Sequence, residues 1–396
     1  MNCPMCGKAA KTERGLRKHL TGTRPYGGHE FDEARATAVA SAATAVAGRT
    51  ASGAAVGQAP LPAPPSAIRR PPPVAPPGLG PQYAPDPPFK ARMRRHQSWY
   101  RAEILGVACG TGPQRSSSTH YGNMLDAAAA GGGANFLTPG IFGVARSRIA
   151  EGGGVEPFRC LHNMLSSQPM CFNLFGPLVA DHELATRLIA VLLPGEVEEV
   201  LDVRVEYAPS PKREFLDDRT AFDALVVYRR PDGETAFLGV ETKLTEPFSP
   251  LEYVKPGYVA LTERDDSIWR REAWPVLRAS AANQLWRNQL LVEATRRHPD
   301  HPHGRHGRSA IVRHPLDTDC ARAVAAYAQT LVDATSTFAD WPLDHLVARW
   351  RTVVCGAEER AWLRAFERRY LDVDASAGRP ATAVPAGCPG EPPVSW

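Results

Sequence analysis

Residues 222–244 read FDALVVYRRPDGETAFLGVETKL. Two runs rich in β-branched and aromatic residues flank Pro231-Asp232-Gly233, which is the composition of an antiparallel β-hairpin rather than a helix. Pro231 suits the second corner of a type I turn, Asp232 tolerates the next, and Gly233 supplies the left-handed residue that closes a three-residue loop with a bulge. With Arg230 and Glu234 as the last pair, counting back along both strands sets Asp223 opposite Glu241. Period-two alternation then puts Lys243 on the same face. Opposed Cβ atoms sit about 4.5–5.5 Å apart, a span that one divalent cation bridges. Two carboxylates ending an apolar hairpin are costly unless something neutralises them. A hard cation such as Mg²⁺ does so while keeping several waters. By lowering the pKa of one such water it supplies the nucleophile for phosphodiester hydrolysis. Lys243 would orient or help deprotonate that water, or stabilise the developing anion. The bland alternative is a cross-strand salt bridge where the hairpin meets solvent, and a one-residue change of loop would turn Asp223 to the other face.

Asp223 followed by Glu241-Thr242-Lys243 resembles the D…(D/E)-x-K signature of the PD-(D/E)XK nuclease superfamily. The blocks SSQPMCFNLF (166–175) and NQLWRNQLL (283–291) extend the likeness to a bacterial, restriction-endonuclease-like family over residues 89–374. The resemblance implies an α/β restriction-endonuclease-like core with a mixed β-sheet flanked by helices. It further implies Mg²⁺ (or Mn²⁺) held by Asp223, Glu241 and the Thr242 backbone carbonyl, Lys243 at the attacking water, and DNA as substrate. On a long helix predicted from about Arg271 to His298, Gln284, Arg287, Asn288 and Leu291 recur at three- and four-residue spacing. Such a row extends a polar face toward the metal or phosphate, with Gln284 hydrogen-bonding and Arg287 supplying charge. A buried polar network supporting the sheet is the competing reading. In LVADHELATRLIAVLLPG, Leu184, Leu188, Val191 and Leu192 share a helical face that Pro194-Gly195 ends. Glu183 there is either an extra metal-facing acid, as in related folds, or a dipole-favoured solvated residue.

With 37 prolines in 396 residues, and many of them in one Ala/Pro stretch, the chain has room for one catalytic domain plus an appendage. A net charge of +4 leaves nucleic-acid contact to local basic patches. No apolar run approaches bilayer length and the N-terminus lacks a signal-peptide core, so no membrane association and a cytoplasmic location are expected. Scattered cysteines argue against a disulfide framework.

Residues 1–30 begin with Cys3-Pro-Met-Cys6, followed by a short predicted helix carrying His19 and then His29. Two thiolates and two imidazoles suit tetrahedral Zn²⁺, and the segment resembles a C2H2 zinc finger, with a His19–His29 gap longer than usual. Basic residues that include Arg17 and Lys18 are compatible with phosphate contacts. Residues 31–88, rich in Ala, Pro and Gly, read as a disordered tether. Residues 89–374 form the nuclease-like domain and 375–396 a disordered tail. Within the domain, 89–105 reads as a basic and aromatic helix, 196–207 as the first core strand and 309–315 as a fourth. The segment 341–350 belongs to a final helical part. His298, His301, His303 and His306 lie in a Pro/Gly-rich loop without fixed geometry. The function predicted from all this is a Mg²⁺-dependent DNA nuclease with a zinc finger aiding target binding. Alternatives are a non-cleaving DNA- or protein-binding regulator on the same scaffold, or an RNA substrate. A homodimer is left open.

Overall fold

A computed structural model describes residues 78–113, 119–152 and 154–377. The finger residues Cys3, Cys6, Arg17, Lys18, His19 and His29, most of the tether and most of the tail lie outside them. Strands β1 (Cys109–Thr111) and β2 (His120–Leu125) form a two-stranded ribbon. Strands β3 (Glu199–Tyr207), β4 (Phe222–Arg229), β5 (Thr235–Lys243), β6 (His306–Arg313) and β7 (Phe338–Pro342) form one sheet in that order. β3, β4 and β5 run antiparallel, whereas β5–β6 and β6–β7 are parallel. The sheet is therefore mixed, and β5 is the strand at which the direction rule changes.

The hairpin has the predicted loop. Gly233 takes φ +85°, its N–H reaches Arg230 O at 2.9 Å, and Arg230 N donates to Glu234 O at 2.9 Å. The pairs Arg229↔Thr235 through Ala224↔Val240 carry the register toward Asp223 and Glu241 as counted. Alternation then divides the strands between two cores. Val203, Val205, Ala224, Val226, Leu238 and Val240 face one cluster, and Leu225, Val227, Phe237 and Ile311 face the other. Helices cover both faces because βαβ crossovers place them there.

The longer helices are α1 (Pro88–Trp99), α2 (Pro139–Ala150), α3 (Ser167–Ala180), α4 (His182–Leu192), α5 (Ser280–Arg296), α6 (Thr318–Ala328), α7 (Leu343–Arg351) and α8 (Ala357–Tyr370). On the first face α3 contributes Phe172 and Phe175, α4 Leu188, α7 Trp350 and α8 Phe366; on the second, α5 contributes Trp286 and Leu290 and α6 Tyr327. Each such side chain is worth about 1.5–3 kcal/mol in area removed from water. Side-chain oxygens cap four of these helices: Thr138 receives Ile141 N at 3.2 Å, Ser166 receives Gln168 N at 3.2 Å, Asp181 receives Leu184 N at 2.8 Å, and Asp317 receives Cys320 N at 3.0 Å.

Several predicted elements differ. The long helix is broken: a short turn at Arg271–Ala273 and a helix at Trp274–Arg278 precede α5, with Ala279 extended between them. Trp341 belongs to β7 rather than to a helix, because five residues there find a parallel partner in β6. The first core strand starts at Glu199 and the fourth spans His306–Arg313. The segment from residue 89 stays helical to Trp99 and ends in a π-turn, Tyr100–Leu105. Its Arg94 and Arg101 are buried; Arg94 pairs with Asp86 at 2.5 Å and Arg101 donates to Gly122 O at 2.6 Å. Those two arginines hold the ribbon in place and do not face a phosphate backbone.

Candidate functional site

Asp223 is the second residue of β4 and Glu241 lies near the end of β5. Both donors of Thr242, its N–H and its Oγ1, give hydrogen bonds of 2.8 Å to Asp223 Oδ2; none of these bonds uses Oδ1. Burial above all, then the charges of Glu241 and Glu206, push the Asp223 carboxyl well above its usual range, and the Thr242 bonds oppose the shift. The Cys171 thiol from α3 donates to Asp223 O at 3.3 Å and is driven strongly upward by burial and then by that aspartate. It stays a neutral sulfhydryl and ties the strand to the helix.

Lys243 is 6% exposed, and its Nζ stands 3.1 Å from Glu241 Oε1 and 3.1 Å from Gln284 Oε1. Desolvation pulls its pKa down, but Glu241, Glu246 and Asp223 outweigh that and the net shift is upward. The ammonium is therefore charged. Its carboxylate partner is held from α5: Gln284 Nε2 donates to Glu241 Oε1 at 2.7 Å, and Asn288 Nδ2 to Oε2 at 2.8 Å. Residues 284 and 288 are one helical turn apart, so a single face of α5 delivers both amides to the same carboxylate. Glu246 lies just beyond, accepting Ser167 N at 2.7 Å at the start of α3.

A third acid joins the row. The pairs Val205↔Ala224 and Tyr207↔Phe222 bracket Glu206, which places it across from Asp223. Its backbone is left-handed at φ +57°, a conformation that costs a non-glycine residue about 1–3 kcal/mol and that surrounding structure must enforce. Arg148 of α2 enforces it by donating to Val205 O at 3.1 Å and Glu206 O at 2.6 Å. Gly154 packs so closely that a Cβ there would come 3.0 Å from Glu206 O. The side chain accepts from Gln168 Nε2 at 2.8 Å, and Glu156 N, donating to Gln168 Oε1 at 3.2 Å, fixes that amide's orientation. Burial raises the Glu206 carboxyl to about 7; Gln168 counters this and the charge of Glu241 adds to it.

Three strands thus line up Glu206, Asp223 and Glu241, with Lys243 alongside. All donors are oxygen, and two of the carboxyls are destabilised as anions, the imbalance that a hard divalent cation relieves. Among the described residues no three His, Cys, Asp or Glu side chains converge into a ready-made metal cage. Mg²⁺ commonly takes one or two carboxylates and retains waters, so the donor set fits Mg²⁺ or Mn²⁺.

The remaining candidates fall elsewhere. Glu183 is exposed in the first turn of α4, where the helix dipole favours it, and the extra acid beside Asp223 is Glu206. Arg287 is tied to Thr220 Oγ1 at 2.7 Å and to Asp218 at 3.6 Å. Asp218 itself is no solvated turn residue: it accepts from the Tyr258 hydroxyl. The loop histidines do not cluster; His303 meets the Tyr207 hydroxyl at 2.8 Å, whereas His301 meets Arg296 O at 3.1 Å.

A mixed sheet between two helical layers, with the aspartate on one hairpin strand and Glu-Thr-Lys on the other, is the framework of a nuclease-type hydrolase. Residues 84–372 match a family of the PD-(D/E)XK nuclease superfamily, and the chain belongs to it. Neither the curated proteins nor the solved structures contain a match. Nucleases of this superfamily generally use Mg²⁺ or Mn²⁺. No helix among the described residues is long and apolar enough to cross a membrane.

Proposed function

We propose that the protein hydrolyses phosphodiester bonds in DNA at the Asp223–Glu241–Lys243 site. The supporting observation is the charged, buried Lys243 ammonium, 3.1 Å from Glu241 Oε1, beside an Asp223 carboxyl that burial and neighbouring charge make unstable as an anion. In this reading Asp223, Glu241 and the Thr242 carbonyl hold Mg²⁺ or Mn²⁺. The ion, when bound, acidifies a water and offsets charge on the phosphoryl oxygens. Thr242 keeps Asp223 turned to the site through two hydrogen bonds. Gln284 and Asn288 fix the Glu241 carboxylate, and Gln284 also restrains the lysine. Lys243 orients the attacking water and stabilises negative charge as it builds on the phosphate. The segment with Cys3, Cys6, His19 and His29 serves as a tethered Zn²⁺ knuckle whose Arg17 and Lys18 meet phosphates, which raises local substrate concentration through linkage.

The test is cleavage of plasmid, linear duplex and single-stranded DNA with Mg²⁺ or Mn²⁺. Asp223→Asn, Glu241→Gln and Lys243→Ala should each remove activity while circular dichroism shows the fold retained. Undiminished metal-dependent cutting by an Asp223→Asn/Glu241→Gln double variant would falsify the assignment. Metal-independent binding without cutting by the wild-type chain would favour the non-cleaving regulator instead.

A further inference from the structure

Beside this site the chain exposes three large apolar side chains within four residues: Leu251 at 57%, Tyr253 at 39% and Val254 at 45%. Solitary exposed apolar residues need no explanation, but a group set next to a polar site marks an interaction surface. The backbone beneath them is unusually well held for an exposed loop. Asn283, fully buried on α5, grips Tyr253 from both sides: Tyr253 N donates to Asn283 Oδ1 at 3.0 Å, and Asn283 Nδ2 donates to Tyr253 O at 3.1 Å. Ser249 N donates to Gln284 Oε1 at 3.3 Å, the same oxygen that receives Lys243 Nζ. Consecutive residues of one helix thus hold the Tyr253 backbone and the Glu241 carboxylate, so the ring sits at a fixed offset from the acidic row.

The ring is also backed. The Arg287 guanidinium lies 4.5 Å from its centroid, held there by Thr220 and Asp218. The phenol is thus backed by a cation, and Tyr253 as a whole is 39% exposed. Fixing loop backbone costs about 1–2 kcal/mol per residue, and an aromatic left in water returns little of it to folding. Nearby, Arg219 is exposed next to Thr220, and Lys255 is anchored on Asp217 O at 2.5 Å. These are cationic neighbours suited to a phosphate backbone, set beside two exposed acids, Asp217 and Glu252.

We propose that Tyr253 is a stacking platform for an unpaired nucleobase of the strand whose phosphate enters the Asp223–Glu241–Lys243 site, with Leu251 and Val254 flanking it. A base inside a duplex cannot offer its face to this ring. The substrate class is therefore single-stranded DNA or DNA with a locally extruded base. This rests on the phosphodiesterase reading for its geometry, but binding can be measured apart from cutting. Fluorescence anisotropy with the full chain in EDTA would compare a labelled single strand, a fully paired duplex and a duplex with one unpaired base.

Stacking on an aromatic is worth about 1–3 kcal/mol per base, so Tyr253→Ala should weaken the single strand by roughly 5- to 150-fold. The paired duplex should be nearly unaffected, and Tyr253→Phe should keep wild-type affinity. Loss on the unpaired-base duplex as well would identify an extruded base as a source. Equal affinity of wild type and Tyr253→Ala on all three DNAs overturns the platform, even if metal-dependent cutting is intact. A Tyr253-dependent loss of binding in a chain that cuts nothing supports the platform and defeats the hydrolase reading.

Discussion

Glu206→Gln probes the acidic row without touching Asp223 or Glu241. Burial and neighbouring charge lift the Glu206 carboxyl from an ordinary 4.5 to about 7. Between those values the folded state holds a proton that the unfolded chain has released, so stability falls as pH rises through the window and is level above it. A shift of about 2.5 units at about 1.36 kcal/mol per unit gives on the order of 3 kcal/mol at pH 8. Glutamine keeps the oxygen that accepts from Gln168 Nε2 and carries no charge, and it also relieves Asp223, whose carboxyl Glu206 pushes upward. Thermal unfolding in EDTA should therefore show the variant close to wild type at pH 5 and more stable at pH 8. For a body of this size 3 kcal/mol corresponds to roughly 5 °C. Mg²⁺ should narrow the pH 8 gap by stabilising the wild type more. An equal difference at pH 5 and pH 8, or a variant less stable at pH 8, would refute the view that burial and its neighbours disfavour the Glu206 anion in the fold.

Three further outcomes are expected. Gln284→Leu, which frees Lys243, Glu241 and Ser249 N together, should lower the cleavage rate about 100-fold through misplacement with little change in melting, as steady-state assays would show. His314 donates through Nε2 to Tyr370 O at 2.9 Å and accepts Leu316 N at 3.1 Å, and burial pushes its imidazole down to about 4. Only the unfolded chain gains that proton between about pH 6.5 and 4, so stability is lost as pH falls through this range, by about 2 kcal/mol at pH 5. Urea titrations of wild type and His314→Gln should differ in slope there. Gly239→Ala would drive a Cβ within 2.4 Å of the Phe222 ring and should cost about 1–3 kcal/mol, read as a lower melting temperature.

The hairpin and its pairing were legible because their determinants are local: a Pro-Asp-Gly loop, β-branched strands, and a period that sets Asp223, Glu241 and Lys243 by counting. The polar face of α5 was legible as spacing, although not the two amides meeting one carboxylate. Glu206 was not legible, because its place depends on the β3–β4 register, and that crosses a connection at 208–221 whose conformation no short pattern specifies. The available sign was an acid, Glu206, one residue before the strand's end at Tyr207 and the Ala208-Pro209 that follows. The break before α5 has no Gly or Pro at Ala279; Trp274 packing on Trp286 at 5.6 Å shows tertiary contact overriding helix propensity. β7 was misread for a similar reason, since an edge strand of five residues is defined by its partner more than by its composition.

The amides that orient Glu241 sit 43 and 47 residues after it, beyond the loop and three short helical pieces, Pro256–Thr262, Arg271–Ala273 and Trp274–Arg278. A nascent polypeptide leaving the ribosome displays the acidic hairpin before it owns the helix that aligns it. On the proposed activity, a truncated or stalled translation product would carry the signature residues yet be unable to damage its host's genome.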